Sequence, residues 1–288
     1  MSAQRPTGGT LRGLSYSGGD SVALHAWAMD GPPVAPLLVL LHAGGPDHHS
    51  MLPLARHLAD LGRVVTPDIR GYGASTCRDP AAHTWDRYSA DVVALLDALG
   101  ASSAVLAGAG LGSTIALRTA LTHPDRVSAV VAIGVEDIED DEAKAAEIAF
   151  LDAFARRVAE HGIAAGWEPI LDQFPPLVGA MVRDAIPRSD PASIVAAAAI
   201  AHDRSFATVG ELAAVTAPVL VFPGTDPRHP TALAEHLAAT VAGGQLARVR
   251  IDAELHTADD LAAATAPAIR AFLTGPAAPR RFRSGPVG

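Results

Sequence analysis

Val105–Leu117 reads VLAGAGLGSTIAL. A short apolar run ends at Gly108, passes through Ala109, Gly110, Leu111 and Gly112, and enters a segment of helical spacing at Ser113. Three glycines in five residues allow a tighter backbone approach than side chains would tolerate. The stretch therefore reads as a buried strand, a sharp turn and a helix, with its smallest residues at the turn.

Units of the same make lie on both sides. PLLVLLHAGG contains a buried strand, Leu37–Leu41, that runs into a glycine loop, and LPLARHLADL (Leu52–Leu61) has helical spacing. RVVTP (Arg63–Pro67) is a second buried strand, followed by DIRGYGAS and the amphipathic helix Tyr88–Leu99. Val127–Ile133 is another strand, and Tyr16 with Ser21–Trp27 forms an opening hairpin around GGD. Strands alternating with helices define an α/β fold: a mostly parallel, twisted sheet with helices on both faces.

The alternation stops between Glu136 and Val215, where acidic EDIEDDEAKAAEIAF opens a helical stretch punctuated by PP and SDP. It resumes with APVLVFP (Ala217–Pro223), the helix TALAEHLAATV, a closing strand ARVRI (Ala247–Ile251) and a final helix near Leu261–Leu273. The reading divides the chain into a core of residues 12–135 and 216–274, an inserted helical cap of residues 136–215, and a Gly/Pro/Arg tail, 275–288, expected to be disordered. The acidic start of the cap reads as a helix first turn favoured by the helix dipole.

The chain has 288 residues, 49% of them hydrophobic, and a formal net charge of −9. No basic stripe with interleaved aromatics occurs, which excludes nucleic acid as the expected partner. A single cysteine, Cys77, rules out an intrachain disulfide and fits a reducing compartment. Neither a targeting segment nor a membrane-length apolar run is evident, so a cytoplasmic protein is expected.

Five ordered motifs together resemble the α/β-hydrolase fold superfamily, in its capped esterase and epoxide-hydrolase-like group, over roughly residues 12–274. LLHAGG resembles the oxyanion loop, PDIRGYGAS the loop after the fourth strand, VLAGAGLGSTIAL the nucleophile elbow, GTDPRHP the acid turn and AELHTAD the histidine loop. The family's elbow is G-x-S-x-G, with an exposed serine on a strained turn. Here Gly110 occupies the serine position, between Gly108 and Gly112.

The resemblance implies a triad in the order nucleophile, acid, histidine, of which Asp226 and His256 remain. Asp226 lies one residue closer to Gly224 than is commonest, and Glu136 is an alternative acid for His256. The backbone N–H groups of Gly44 and Leu111 would form the oxyanion hole, with Ala43 standing where glycine is frequent. His42, Ala43, Gly45, His48, His49 and Ala109 are candidates to border the pocket. Asp47, His48 and His49 could suggest a metal, but adjacent histidines point apart and no second ligand pair has suitable spacing, so neither metal nor cofactor is expected. Ser113 lacks the elbow's flanking glycines and reads as bonded within its own helix. Cys77 reads as a thiol without function, and Tyr72 as packing beneath the site. Trp85, Tyr88, Trp167 and Phe174 belong to the cap or core.

Glycine offers no atom to attack a carbonyl, which removes the acyl-enzyme route. A His–Asp dyad with an oxyanion hole would still support general-base chemistry on a substrate or on water: elimination, cyclisation, hydration or cofactor-free oxygenation. An apolar cap points to a hydrophobic small molecule, such as a secondary metabolite. The alternatives are a serine hydrolase inactivated at Gly110 and a small-molecule-binding pseudoenzyme.

Overall fold

A computed structural model describes residues 10–32, 36–136, 138 and 141–275. The reading of 276–288 as tail, and that of the first nine residues, lie outside the described residues. Eight strands form one sheet: β1 (Leu11–Ser17), β2 (Ala23–Met29), β3 (Leu37–Leu41), β4 (Arg63–Pro67), β5 (Ala104–Ala109), β6 (Val127–Ile133), β7 (Val219–Phe222) and β8 (Gly244–Leu246). Their spatial order is β1-β2-β4-β3-β5-β6-β7-β8. The β1–β2 and β2–β4 pairs are antiparallel, and all others are parallel.

Every residue of β3, β5 and β7 is buried. Central parallel strands covered on both faces read as unbroken apolar runs, and these are the runs visible in the sequence. Helices α2 (Trp85–Ala98), α3 (Leu111–Thr122) and α8 (Thr231–Thr240) cover one face, while α1 (Leu52–Leu58) and α9 (Ala258–Thr274) cover the other.

The closing strand departs from expectation. ARVRI alternates as a strand should, yet β8 is Gly244–Leu246, three residues earlier. Gly244 is seated so closely that a Cβ there would lie 2.1 Å from the Ala238 carbonyl oxygen. Beyond β8 the chain stays at the sheet edge through the N–H groups of Ala247, to Val221, and Ile251, to Pro223, and through an isolated parallel bridge of Ile251 with Gly224.

Between β6 and β7 the described residues contain no strand. Helices α4 (Asp141–His161), α5 (Ile163–Trp167), α6 (Pro176–Ala185) and α7 (Pro191–Ala197) form a cap over the carboxyl edge of the sheet. Arg188 of the cap grips buried Asp47 at 2.6 and 3.1 Å, and Ser193 Oγ accepts the N–H of Cys77. Among the described residues no helix is long and apolar enough to cross a membrane.

Candidate active site

The turn after β5 has the sharpness its glycines permit. Gly110 has φ +49° and ψ −119°, and its N–H donates to the Ile133 carbonyl on neighbouring β6. A Cβ at Gly108 would lie 2.1 Å from the Gly112 carbonyl oxygen, and one at Gly112 only 2.5 Å from that of Leu41. Those two glycines are required by backbone contact. Gly110 differs, because a Cβ there would meet only Glu136 Oε1 at 3.3 Å and Ala43 Cβ at 3.4 Å. Its constraint is the positive φ, which L side chains rarely adopt.

Glu136 leaves β6 through Gly134 and Val135. Its carbonyl accepts the Thr114 hydroxyl at 2.9 Å, which ties it to the first turn of α3. Ser113 Oγ bonds the Gly110 carbonyl at 2.6 Å, in accord with a structural role. On the far side, β7 ends in Gly224–Pro230, where Asp226 Oδ1 accepts the N–H groups of Arg228 and His229. That turn folds the imidazole of His229 back onto the carboxylate of Asp226, 2.9 Å from Nδ1.

Strand adjacency completes the cluster. Because β6 and β7 are neighbours, Glu136 meets His229, whose Nε2 lies 3.1 Å from Glu136 Oε2. Arg228 forms a bidentate pair with Glu147 of α4 at 2.7 and 2.9 Å and approaches Glu136 at 3.5 Å. An ionised carboxylate only accepts, so one at each ring nitrogen holds the imidazole as the imidazolium. Burial opposes the charge on His229, but Asp226 and Glu136 outweigh it and push the group up to about 10. Burial likewise opposes the charge on Glu136, and His229 with Arg228 overcomes it, holding the carboxyl well below the usual range.

This arrangement corrects the expected dyad. Asp226 and His256 are not paired: His256 is exposed, and its backbone N–H donates to Asp260 Oδ2 beside the capping box that starts α9. Asp226 takes His229, and Glu136 also serves His229 rather than His256. Sequence reasoning passed over His229, although its i+3 spacing from Asp226 in a Pro-bounded turn was a usable signal.

A cavity of about 110 Å³ opens above the cluster. Its floor includes Gly44, Tyr72, Gly110, Leu111, Glu136 and His229, while Phe150, Phe154, Trp167, Ile170 and Phe174 give it apolar walls. Ala43 and Gly45 border it, and Trp167 packs over Gly45. Tyr72 borders the cavity instead of merely packing beneath it. Gly44 and Leu111 both line the cavity and are close, a Cβ on Gly44 lying 3.9 Å from that of Leu111.

The three histidines near the oxyanion loop lie outside the cavity lining. His42 is fully buried, bonding the Ala43 carbonyl through Nδ1 and accepting the Ile69 N–H at Nε2. His48 stacks on Trp27 and bonds Asp68, and His49 bonds Asp47. Asp47, His48 and His49 present potential ligand atoms within 4.8 Å, but Asp47 also carries Arg188. Cys77 is buried. Trp85 and Tyr88 belong to the core, whereas Trp167 and Phe174 line the cavity.

A sheet of this order with a glycine-rich turn after its fifth strand, a helical cap and polar groups gathered at the carboxyl edge defines the α/β-hydrolase class. Residues 36–172 match the family described as alpha/beta hydrolase fold. Epoxide hydrolase A of Mycobacterium tuberculosis is 41% identical over 108 residues, 36% of this chain and 33% of that protein. The chain thus spans about a third of the length of that curated relative. A thermophilic esterase from Thermogutta terrifontis superposes with a TM-score of 0.77 at 22% identity, covering 91% of this chain and 98% of that one. The bottromycin epimerase BotH, solved in complex with bottromycin A2, gives 0.67 at 20% identity over 90% and 96% of the two chains. The chain has the α/β-hydrolase fold.

Proposed function

We propose that this chain is an enzyme that moves a proton on a hydrophobic small molecule, without an acyl-enzyme intermediate. The observation that carries this reading is the position of Glu136: its Oε1 lies 3.3 Å from where a side chain at Gly110 would begin, on the floor of the apolar cavity. The carboxylate occupies the neighbourhood that an elbow side chain would otherwise fill.

A substrate carbonyl oxygen would sit between the N–H groups of Gly44 and Leu111. Glu136 Oε1 would take a proton from the adjacent carbon, the C–H electron pair becoming the C=C bond of an enolate whose charge rests on that oxygen. His229 and Asp226 hold Glu136 in place and keep a positive charge beside it. The expected His–Asp general base is thereby replaced, since an imidazolium between two carboxylates has no lone pair to offer. A carboxylate held this low is a weak base, so the reading favours carbons already acidified by a carbonyl. Returning the proton gives exchange or epimerisation, and loss of a β-substituent gives elimination.

Hydrolase relatives and a neighbour named as an epimerase are compatible with a fold that hosts more than one chemistry. The exposed position of His256 weighs against an inactivated serine hydrolase. Proton exchange at the α-carbon of aryl alkyl ketones in D2O, followed by NMR, tests the reading. Exchange in the wild type that Glu136→Gln lowers by 10²-fold or more is expected; binding without exchange would instead favour the pseudoenzyme.

A further inference from the structure

A second, smaller chamber of about 50 Å³ lies behind the elbow. It shares Ala43, Gly110, Val178 and His229 with the main cavity. Its remaining wall is mainly apolar, with Ala109, Leu177, Met181, Ile251 and Leu261 on it. Asp226 is its only other ionisable group, and that carboxylate is turned onto His229. Ile251 and Leu261 flank the loop of His256 in sequence, and His256 itself is exposed and absent from the chamber's lining.

Gly110 lines both chambers, and a passage between them would run beside it. A Cβ there would reach within 3.4 Å of Ala43 and 3.3 Å of Glu136, narrowing the passage from both sides. The glycine thus has a second consequence besides removing the nucleophile: it leaves the boundary shared by the two spaces free of a side chain.

We propose that the rear chamber is a subsite for a one- or two-carbon arm of the substrate, entered past Gly110. This rests on the proton-transfer reading and adds the size and shape of the molecule. A dry cavity of about 150 Å³ accommodates benzene. On that scale the main cavity, about 110 Å³ and open on one side, takes a single six-membered ring, and the rear chamber takes about a third of a ring. The substrate class is a compact, uncharged carbonyl compound with a ring on one side of the carbonyl and a short alkyl arm on the other. A long alkyl arm exceeds the roughly 50 Å³ of the rear chamber.

The test uses the series acetophenone, propiophenone, butyrophenone, valerophenone and hexanophenone, with dissociation constants from ligand-observed NMR and α-proton exchange in D2O measured separately. Affinity is expected to rise about fourfold with the first added methylene, the ordinary value for burying one, and to fall once the arm exceeds two carbons. Gly110→Ala should abolish this dependence by closing the passage. Met181→Phe should move the break to a shorter arm by filling the chamber from the cap, and thermal melts would establish that both variants are folded. An affinity that climbs without a break to hexanophenone, an arm-length step unchanged in both folded variants, or binding of no member of the series overturns the subsite. A break in affinity without exchange would preserve the subsite and overturn proton transfer, whereas exchange without a break would do the reverse.

Discussion

His229 bridges two carboxylates, with Nδ1 2.9 Å from Asp226 and Nε2 3.1 Å from Glu136, on the floor of a cavity with apolar walls. The two acids arrive from the ends of adjacent strands, so the histidine fastens β6 to β7 where the sheet opens into the cavity. His229→Ala should therefore cost both activity and stability. Ketone exchange is expected to fall by at least 10²-fold, and unfolding by urea to come at lower concentration, because two buried carboxylates lose their shared partner. His256→Ala should change exchange less than twofold. Equal losses in the two variants would return the chemistry to the last loop.

The same bridge sets a pH dependence. The folded-state pKa of His229 is raised, from an ordinary 6.5 to about 10. Its contribution to stability is fully present below about 6.5 and is lost as pH rises through about 10. Glu136 is shifted downward, so its contribution is present above the usual carboxylate value and is lost on acidification. Urea midpoints measured from pH 4 to 10.5 should form a plateau that declines on the alkaline side, and His229→Gln should remove most of that decline. An alkaline limb unaltered by the substitution would show that the imidazolium is not the group responsible.

Much of this architecture is legible in the sequence because it depends on local rules. Unbroken apolar runs give the buried strands, and the glycine cluster gives the elbow. Asp226 follows from its place after β7. The link from His229 to Glu136 was not legible for a physical reason: the two are 93 residues apart and meet only because β6 and β7 are sheet neighbours. The position of His256 was equally hidden, since it depends on Asp260 capping the backbone of the loop rather than on the order of motifs. ARVRI misled because its alternation suits a strand, while the close seating of Gly244 places the pairing earlier.

Arg188 gives a test of how the cap is held. Asp47 is almost wholly buried and takes Arg188 at 2.6 and 3.1 Å, besides the N–H and ring of His49. Arg188→Met leaves that carboxylate without its cation and should destabilise the protein by about 3 kcal/mol. Because Asp47 belongs to the loop after β3 and Arg188 to the cap, proteolysis should cut the cap sooner in the variant. Unchanged proteolysis with lowered stability would mean that the pair supports the loop rather than the cap.

Gly110→Ser separates the absence of a nucleophile from the absence of the machinery a nucleophile needs. The substitution places an L residue at φ +49° and ψ −119°, at a cost of about 1–3 kcal/mol, but its Cβ contacts at 3.3–3.4 Å can be relieved by small shifts of Glu136 and Ala43. Gly112→Ala is the contrasting case, since the obstruction at 2.5 Å is the Leu41 carbonyl oxygen of a central strand. The serine variant should fold with a lowered melting temperature, and the alanine variant should lose far more stability. A serine hydroxyl at position 110 would meet a carboxylate and a protonated imidazole, neither arranged as the neutral histidine base that activates serine. Hydrolysis of p-nitrophenyl acetate should remain at the level of the wild type. Esterase activity rising 10²-fold or more in Gly110→Ser would instead mean that a neutral histidine reaches the elbow, and with it the ordinary hydrolase route would be only one substitution away.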